Sequence, residues 1–494
     1  MSATLGLGWR LPILATVRAG ILPRSALAAL CVVSALAIGT LLAGVPTVHA
    51  LRGWFWPLRG KPPQVAWLLL ACATVGVLSV VAYRVRRRYA LATCCLFAAG
   101  VAAQYGAALA EGRGLDALRE RVVFTGHSEF ARIAASGRPA LDLLTDYENL
   151  AGRDNPYCAV KPPGQLLLYV ALERLAQRLV PADLPDRYPL PGSATHRFGH
   201  LVELMTWLLP FLAALVVWPL GALGRRFLTG DTWLVPALLF VLSAPFSLVV
   251  LHLDQALFPT AATTLWVIAA RAGDSRRSVA YGALGGLLAW GMAFVSFGLA
   301  PAIALAPVFT VATAPRDARW QRTLGLCAGL GACVALVWLL MSPLYDPTHR
   351  YQAALAAHER WKRWTWDVGH VAAAARMNLV EFAWWANPGV TVVWLAALGR
   401  SLATLWRYAS GHPREAASTL GLDLVNPVVA AILVVLAAAS STFAETPRLW
   451  MFLLPLLLLG AVRALGTIRP MHLGLVVMLQ WAWTLATKLT QDFH

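Results

Sequence analysis

An all-α polytopic membrane protein is the fold class this sequence predicts. Of its 494 residues, 59% are hydrophobic and 13% are charged. A soluble domain carries about 25% charged residues, so this chain has about half the charge needed to cover an aqueous surface. The apolar residues come in blocks of about 18–20 without alternation, which suits membrane-crossing helices and argues against a membrane barrel. Short Arg-rich clusters separate many of these blocks, as the positive-inside rule produces. These observations exclude a secreted disulfide domain, a disordered scaffold and a soluble enzyme.

In chain order, apolar blocks at 26–44, 66–83 and 90–110 make a three-span N-terminal segment, 1–110. A long polar stretch, 111–200, follows. Blocks at 201–222, 232–250, 255–270, 278–295, 299–314 and 323–343 form a six-span bundle over 201–343. A second polar stretch occupies 344–388. Blocks at 389–406, 424–441, 449–465 and 471–487 complete a four-span segment, 389–494. The expectation is thus about 13 transmembrane helices. No cleavable signal peptide is expected, because the first block begins late and no small-x-small site follows it.

The formal net charge of +17 does not point to nucleic acid. Only four of the 41 basic residues are Lys (Lys61, Lys161, Lys362, Lys488). With a cytoplasmic N-terminus, the inner segments collect Arg84, Arg86, Arg87, Arg88, Arg225, Arg226, Arg271, Arg276, Arg277, Arg316, Arg400 and Arg463, among others. The short outer loops at 251–255 and 296–298 hold no basic residue. The exception is 45–65, whose LRGWFWPLRGK mixes Trp with Arg and is expected to lie flat among lipid headgroups. Of 24 carboxylates, five (Asp231, Asp274, Asp317, Glu415, Asp423) fall inside and the other 19 outside. Carboxylates do little to set topology, so their crowding outside marks that face as the place for chemistry. The Arg-for-Lys bias with heavy Ala, Gly and Leu use suggests a GC-rich genome and a bacterial inner membrane. Six of the seven Cys lie in apolar blocks without metal-ligand spacing and read as small buried hydrophobes.

Both long outer stretches contain amphipathic helical patterns, SEFARIAASG (128–137) and RYQAALAAHERWKRW (350–364), suited to the bilayer surface. The first stretch, FTGHSEFARIAASGRPALDLLTDYENLAGRDNPYCAVKPPGQLLLY (124–169), gathers Glu129, Asp142, Asp146, Glu148 and Asp154 around Lys161. Transfer from a lipid phosphate needs a carboxylate to deprotonate the acceptor and a cation for the departing phosphate. Lys161 precedes Pro162-Pro163-Gly164, a rigid turn that fixes where the ammonium points. An ordinary solvated loop with mutually paired charges has the same composition.

The order acidic-x-aromatic-Ala-x-Ile-Ala, then Ser-Gly, Asp-Tyr and Lys-Pro-Pro before a hydrophobic helix, resembles the first extracytoplasmic loop of GT-C superfamily glycosyltransferases. These include aminoarabinose transferases and protein O-mannosyltransferases, which use polyprenyl-phosphate-linked sugars. Within that family a catalytic Asp usually stands a few residues before the aromatic. The corresponding stretch here is Gly126-His127-Ser128-Glu129-Phe130, without Asp. The resemblance therefore implies a base at Glu129 or Asp146, or a member that binds without catalysis.

STFAETPRLWMFLLP (441–455) is the second candidate. Glu445 and Arg448 stand one helical turn apart and can pair, and the Arg fork suits phosphate. An interfacial ion pair beside a Trp450 anchor is the competing reading. LHLDQALFP (251–259) is the third, placing His252 and Asp254 in a tight outer turn, where an ionisable group so close to membrane sequence is costly. Asp254 could position acceptor hydroxyls or cap a helix, and His252 more simply fits a structural role. Tyr345, Asp346, His349, Arg350, His358, Glu359, Trp361, Trp364 and Trp366 are candidate sugar-lid residues, though headgroup anchoring explains the Trp equally well.

The leading expectation is a glycosyltransferase taking a sugar from a polyprenyl-phosphate donor to an extracytoplasmic glycan, lipid or protein acceptor. Glu129 or Asp146 would be the base, Lys161 and Arg448 would bind the donor phosphate, and Asp254, His252 and Glu445 would lie on the acceptor side. No motif demands a divalent cation, although carboxylates to hold one are present. The alternatives are a secondary transporter, against which the lack of internal repeats and mid-span charges argues, and a non-catalytic lipid-linked-sugar binder. No P-loop, Rossmann glycine pattern or zinc spacing occurs.

Overall fold

The computed structural model describes residues 22–51, 54, 56–58, 60, 62–124, 126, 128–151, 156–180, 199–249, 252–410, 420–439, 445–466 and 469–491. Among them the protein is all-α, its nearest approach to a sheet being an isolated bridge between Leu58 and Gln491. The first helices are α1 (Leu22–Leu42), α2 (Val65–Arg84) and α3 (Tyr89–Ala110). Across the first long polar stretch run α4 (Asp116–Phe124), α5 (Ser128–Ala134), α6 (Ala140–Thr145), α7 (Tyr147–Ala151), α8 (Pro156–Ala159) and α9 (Pro163–Leu179). The central bundle comprises α10 (Gly199–Ala214), α11 (Val217–Phe227), α12 (Val235–Val241), α13 (Ala244–Val249), α14 (Leu253–Asp274), α15 (Ser278–Val295), α16 (Ala300–Ala304), α17 (Ala306–Thr313) and α18 (Arg319–Met341). In the second polar stretch lie α19 (Pro347–Lys362) and α20 (Val368–Trp385). The chain closes with α21 (Pro388–Ala409), α22 (Leu422–Ala439), α23 (Thr446–Leu449), α24 (Leu454–Leu465) and α25 (Pro470–Thr490).

Eight helical segments among the described residues are long and apolar enough to cross a membrane. Three further apolar segments, Gly230–Val241, Phe297–Thr313 and Met451–Leu465, are shorter. Proline accounts for part of this breakage. Pro236, Pro301, Pro307 and Pro455 each sit in the first turn of a short helix, where their missing N–H costs nothing but where an uninterrupted preceding helix would lose a bond. α2 and α18 leave rows of Val, Leu and Trp exposed, with Trp320 and Leu339 each at 71%. Apolar surface of that extent fits a lipid solvent.

Ion pairs divide the molecule into two ends. Arg86–Asp231, Arg226–Asp274 and Arg463–Asp423, all at 2.7 Å, join the Arg-rich turns, and Arg322 donates to the Gly273 carbonyl nearby. Arg119–Glu203, Lys362–Glu445 and Lys488–Glu111 join the long polar stretches to helix ends, and Arg350–Glu148 joins the two stretches to each other. The ion pairs given for the described residues never cross from one set to the other. Because α3 and α25 must both reach the second end for Glu111 and Lys488 to meet at 2.6 Å, these buried partners also fix the relative height of those helices.

Within the segment expected to lie flat among headgroups, the described residues 45–47, 50, 57, 60 and 62–65 are exposed, whereas Trp56 packs into protein. Trp56 is buried, its ring edge-on to Trp385 at 5.9 Å, while Trp384 meets Trp483 at 4.9 Å and His49 at 6.1 Å. Trp54 donates to the Trp56 carbonyl. Aromatic edges thus satisfy one another across the loop, α20 and α25, a geometry that adds about 0.5–1.5 kcal/mol per pair beyond area burial. Arg52, Arg59 and Lys61 lie outside the described residues.

Candidate functional site

The Lys-Pro-Pro turn is held from behind. Tyr147, fully buried at the start of α7, places its hydroxyl 3.1–3.3 Å from the carbonyls of Cys158, Lys161 and Pro162. Pro162 is extended and Pro163 opens α9, so the chain turns sharply after Lys161 and immediately becomes helical. A Cβ on Gly164 would stand 2.2 Å from the Phe294 carbonyl, so only glycine lets α9 begin against the end of α15. At Gly126 the neighbour is a side chain: a Cβ there would fall 1.7 Å from the Tyr157 ring, which would have to move.

Tyr157 stands where the two polar stretches meet. Its N–H donates to Glu129 Oε2 at 3.3 Å, and its ring meets Trp361 of α19 edge-on at 5.2 Å. Burial raises its phenol, with Glu445 and Glu129 adding to the rise and Arg448 opposing it. Burial likewise raises the Glu129 carboxyl, against the Tyr157 and Cys158 amides and Arg132. On the far side Glu445 accepts from Arg448 at 2.9 Å and from Lys362 at 3.3 Å. Burial would lift this carboxyl, but the two cations outweigh it and hold it at about 2. His358, one turn before Lys362, is lowered by burial and then by Lys362, with Lys161 contributing and Glu445 opposing. Glu129, Lys161, Glu445 and Arg448 therefore share one neighbourhood with Tyr157, His358, Trp361 and Lys362.

Asp146 is placed otherwise. It caps the end of α6, accepts from Arg138 at 3.0 Å and from Asn149 at 2.7 Å, and is about one-third exposed. The Asp-Tyr dipeptide contributes to the Lys161 turn through Tyr147. His252 is buried immediately before α14, and the side chain of Asp254, in the first turn of α14, lies outside the described residues. Arg350 is a clamp: 2% exposed, it bonds Glu148 at 3.0 Å and the Ala159 carbonyl at 2.7 Å, docking α19 onto α7 and α8. A recess of about 240 Å³ opens beside this clamp, between Leu144, Tyr147 and Glu148 on one side and Ser342, Tyr345 and His349 on the other, and is lined by neither Asp146 nor any residue of the Glu445 cluster.

Sequence reasoning missed two residues. Lys362 looked like one more charge on an amphipathic helix, though its one-turn spacing from His358 was a usable signal. Glu381, on α20, is buried and accepts from Trp56 Nε1 at 2.6 Å. Burial lifts it to about 7 despite Trp56 and Thr446, and Glu445 adds to the rise. Among the described residues no group of three or more His, Cys, Asp or Glu is arranged to hold a metal ion. No family model, curated protein or solved structure matches the chain.

Proposed function

We propose that the protein is an integral-membrane glycosyltransferase moving a sugar from a polyprenyl-phosphate donor to an extracytoplasmic acceptor. The observation that carries this reading is the gathering of three cations, Lys161, Lys362 and Arg448, with the carboxylate of Glu129, at the end bearing both long polar stretches. Thirteen spans are proposed, made by the eight long segments, the three shorter apolar ones, α14 and α25. The separation of ion pairs into two ends supports this alternation. The Arg-rich end is then cytoplasmic, by the positive-inside rule.

In the proposed reaction the acceptor oxygen attacks the anomeric carbon while Glu129 takes its proton. The bond from that carbon to the phosphate oxygen breaks, and its electron pair leaves with the lipid phosphate. Lys161, Lys362 and Arg448 neutralise the charge that develops there. Glu445, ionised and doubly paired, serves to aim Arg448 and Lys362 and has little basicity to offer. Attack opposite the departing phosphate inverts the anomeric centre. The occupied state of Glu129, which already accepts from a backbone amide, also fits a protein that binds the donor without turnover.

Purified protein incubated with labelled polyprenyl-phosphate sugars and membrane acceptors tests this. Transfer that is lost in Lys161→Ala and Arg448→Ala is expected. Full activity of both variants, or no transfer from any common sugar, overturns it; donor binding without transfer selects the non-catalytic reading.

A further inference from the structure

The cation cluster has a second carboxyl behind it. Glu381 is only 2% exposed and is gripped on one side by the Trp56 indole at 2.6 Å. Thr446, which faces it from α23, follows Glu445 directly and donates its hydroxyl to Asn378 on the same face of α20. The Trp-rich loop, α20 and the turn that carries Glu445 and Arg448 thus meet at one buried acid. The groups facing it from these elements are Trp56, Thr446 and Glu445, with Arg448 and Lys362 beyond Glu445. Even with donors at Trp56 and Thr446, a buried acid beside a second carboxylate is an expensive arrangement for packing alone, since Gln or Leu would fill the same space.

We propose that Glu381 is a positioning residue of the lipid-phosphate site, whose charge state sets how strongly Arg448 and Lys362 hold a phosphate. This rests on the donor-phosphate reading above. When Glu381 is neutral, the two cations face one carboxylate and retain attraction for an incoming phosphate. When it ionises, a second negative charge competes for them and phosphate affinity falls. Burial, which raises Glu381 toward neutrality, brings this change into the pH range in which binding can be measured.

The experiment is binding of a short-chain polyprenyl monophosphate to the full chain in detergent, from pH 6 to pH 8, for wild type, Glu381→Gln and Trp56→Phe. Gln keeps an acceptor for Trp56 and carries no charge, so it also reports the ligand's own titration. The ratio of wild-type to Glu381→Gln Kd is expected to grow about tenfold across the range, the effect of one nearby charge in partly buried surroundings. Trp56→Phe removes a bond that favours the charged form, so its transition moves to higher pH. Parallel curves for wild type and Glu381→Gln overturn the proposal while leaving the phosphate site intact. Absence of binding by every protein at every pH removes the phosphate site and this role with it.

Discussion

Replacing Glu445 by Gln tests whether Arg448 and Lys362 are held as one unit. The two cations bring this carboxyl from the ordinary 4.5 to about 2 against the opposing effect of burial. At about 1.4 kcal/mol per unit, that depression corresponds to about 3 kcal/mol favouring the charged form. The side chain keeps 24% of its exposure, so solvent screening reduces the part expressed as folding stability to about 1–2 kcal/mol. A depressed carboxyl stabilises the fold above its unfolded value and loses that contribution as pH falls from about 4.5 toward 2, so measurement at pH 7 captures all of it. The assay is reversible unfolding in mixed micelles of wild type, Glu445→Gln, Arg448→Gln and the double variant. Each single variant should lose about 1–2 kcal/mol, and the double should lose less than their sum by about 1 kcal/mol. Strict additivity would refute a shared network and reduce Glu445 to an interfacial acid.

Tyr147→Phe removes the hydroxyl that serves three carbonyls; the expected loss is about 1 kcal/mol of stability, read by the same unfolding assay, with weaker donor binding from a loosened Lys161. Gly126→Ala forces the Tyr157 ring aside and should lower both stability and transfer, while Gly137→Ala, with open space around its Cβ, should act only through its positive φ. Arg350→Met breaks the bonds to Glu148 and Ala159, releasing α19 from α7 and α8; about 1.5–3 kcal/mol is expected, and limited proteolysis should cut first within 347–362.

Helix positions were legible because each apolar block is long relative to a turn and is bounded by Arg or Pro. α15 begins and ends where its block does, at 278 and 295, and the 255–270 block proved to be the centre of α14. Proline breakage such as that separating α16 from α17 shortened segments that hydropathy alone reads as continuous. The amphipathic stretches at 128–137 and 350–364 form α5 and α19, yet periodicity could not say what they dock against. Trp56 illustrates why: Trp beside Arg has the same composition at a lipid interface and in an aromatic cluster, and only the positions of Trp385 and Trp483, more than 300 residues away in sequence, decide between them. Glu381 escaped for a related reason. Its neighbours Trp56 and Thr446 come from distant segments, so no local spacing announces it. Asp146 and Glu129 were equivalent as sequence, since both are acids near Lys161. Tertiary structure separates them, turning Asp146 toward Arg138 and Glu129 toward Tyr157.

That separation supplies the most direct test of the account. Turnover of a labelled polyprenyl-phosphate sugar should be measured for wild type, Glu129→Gln and Asp146→Asn, alongside donor binding for each. The account predicts that Glu129→Gln loses about 10²-fold or more in rate with donor binding retained, while Asp146→Asn turns over like wild type. Undiminished turnover by Glu129→Gln, or a loss confined to Asp146→Asn, would contradict it.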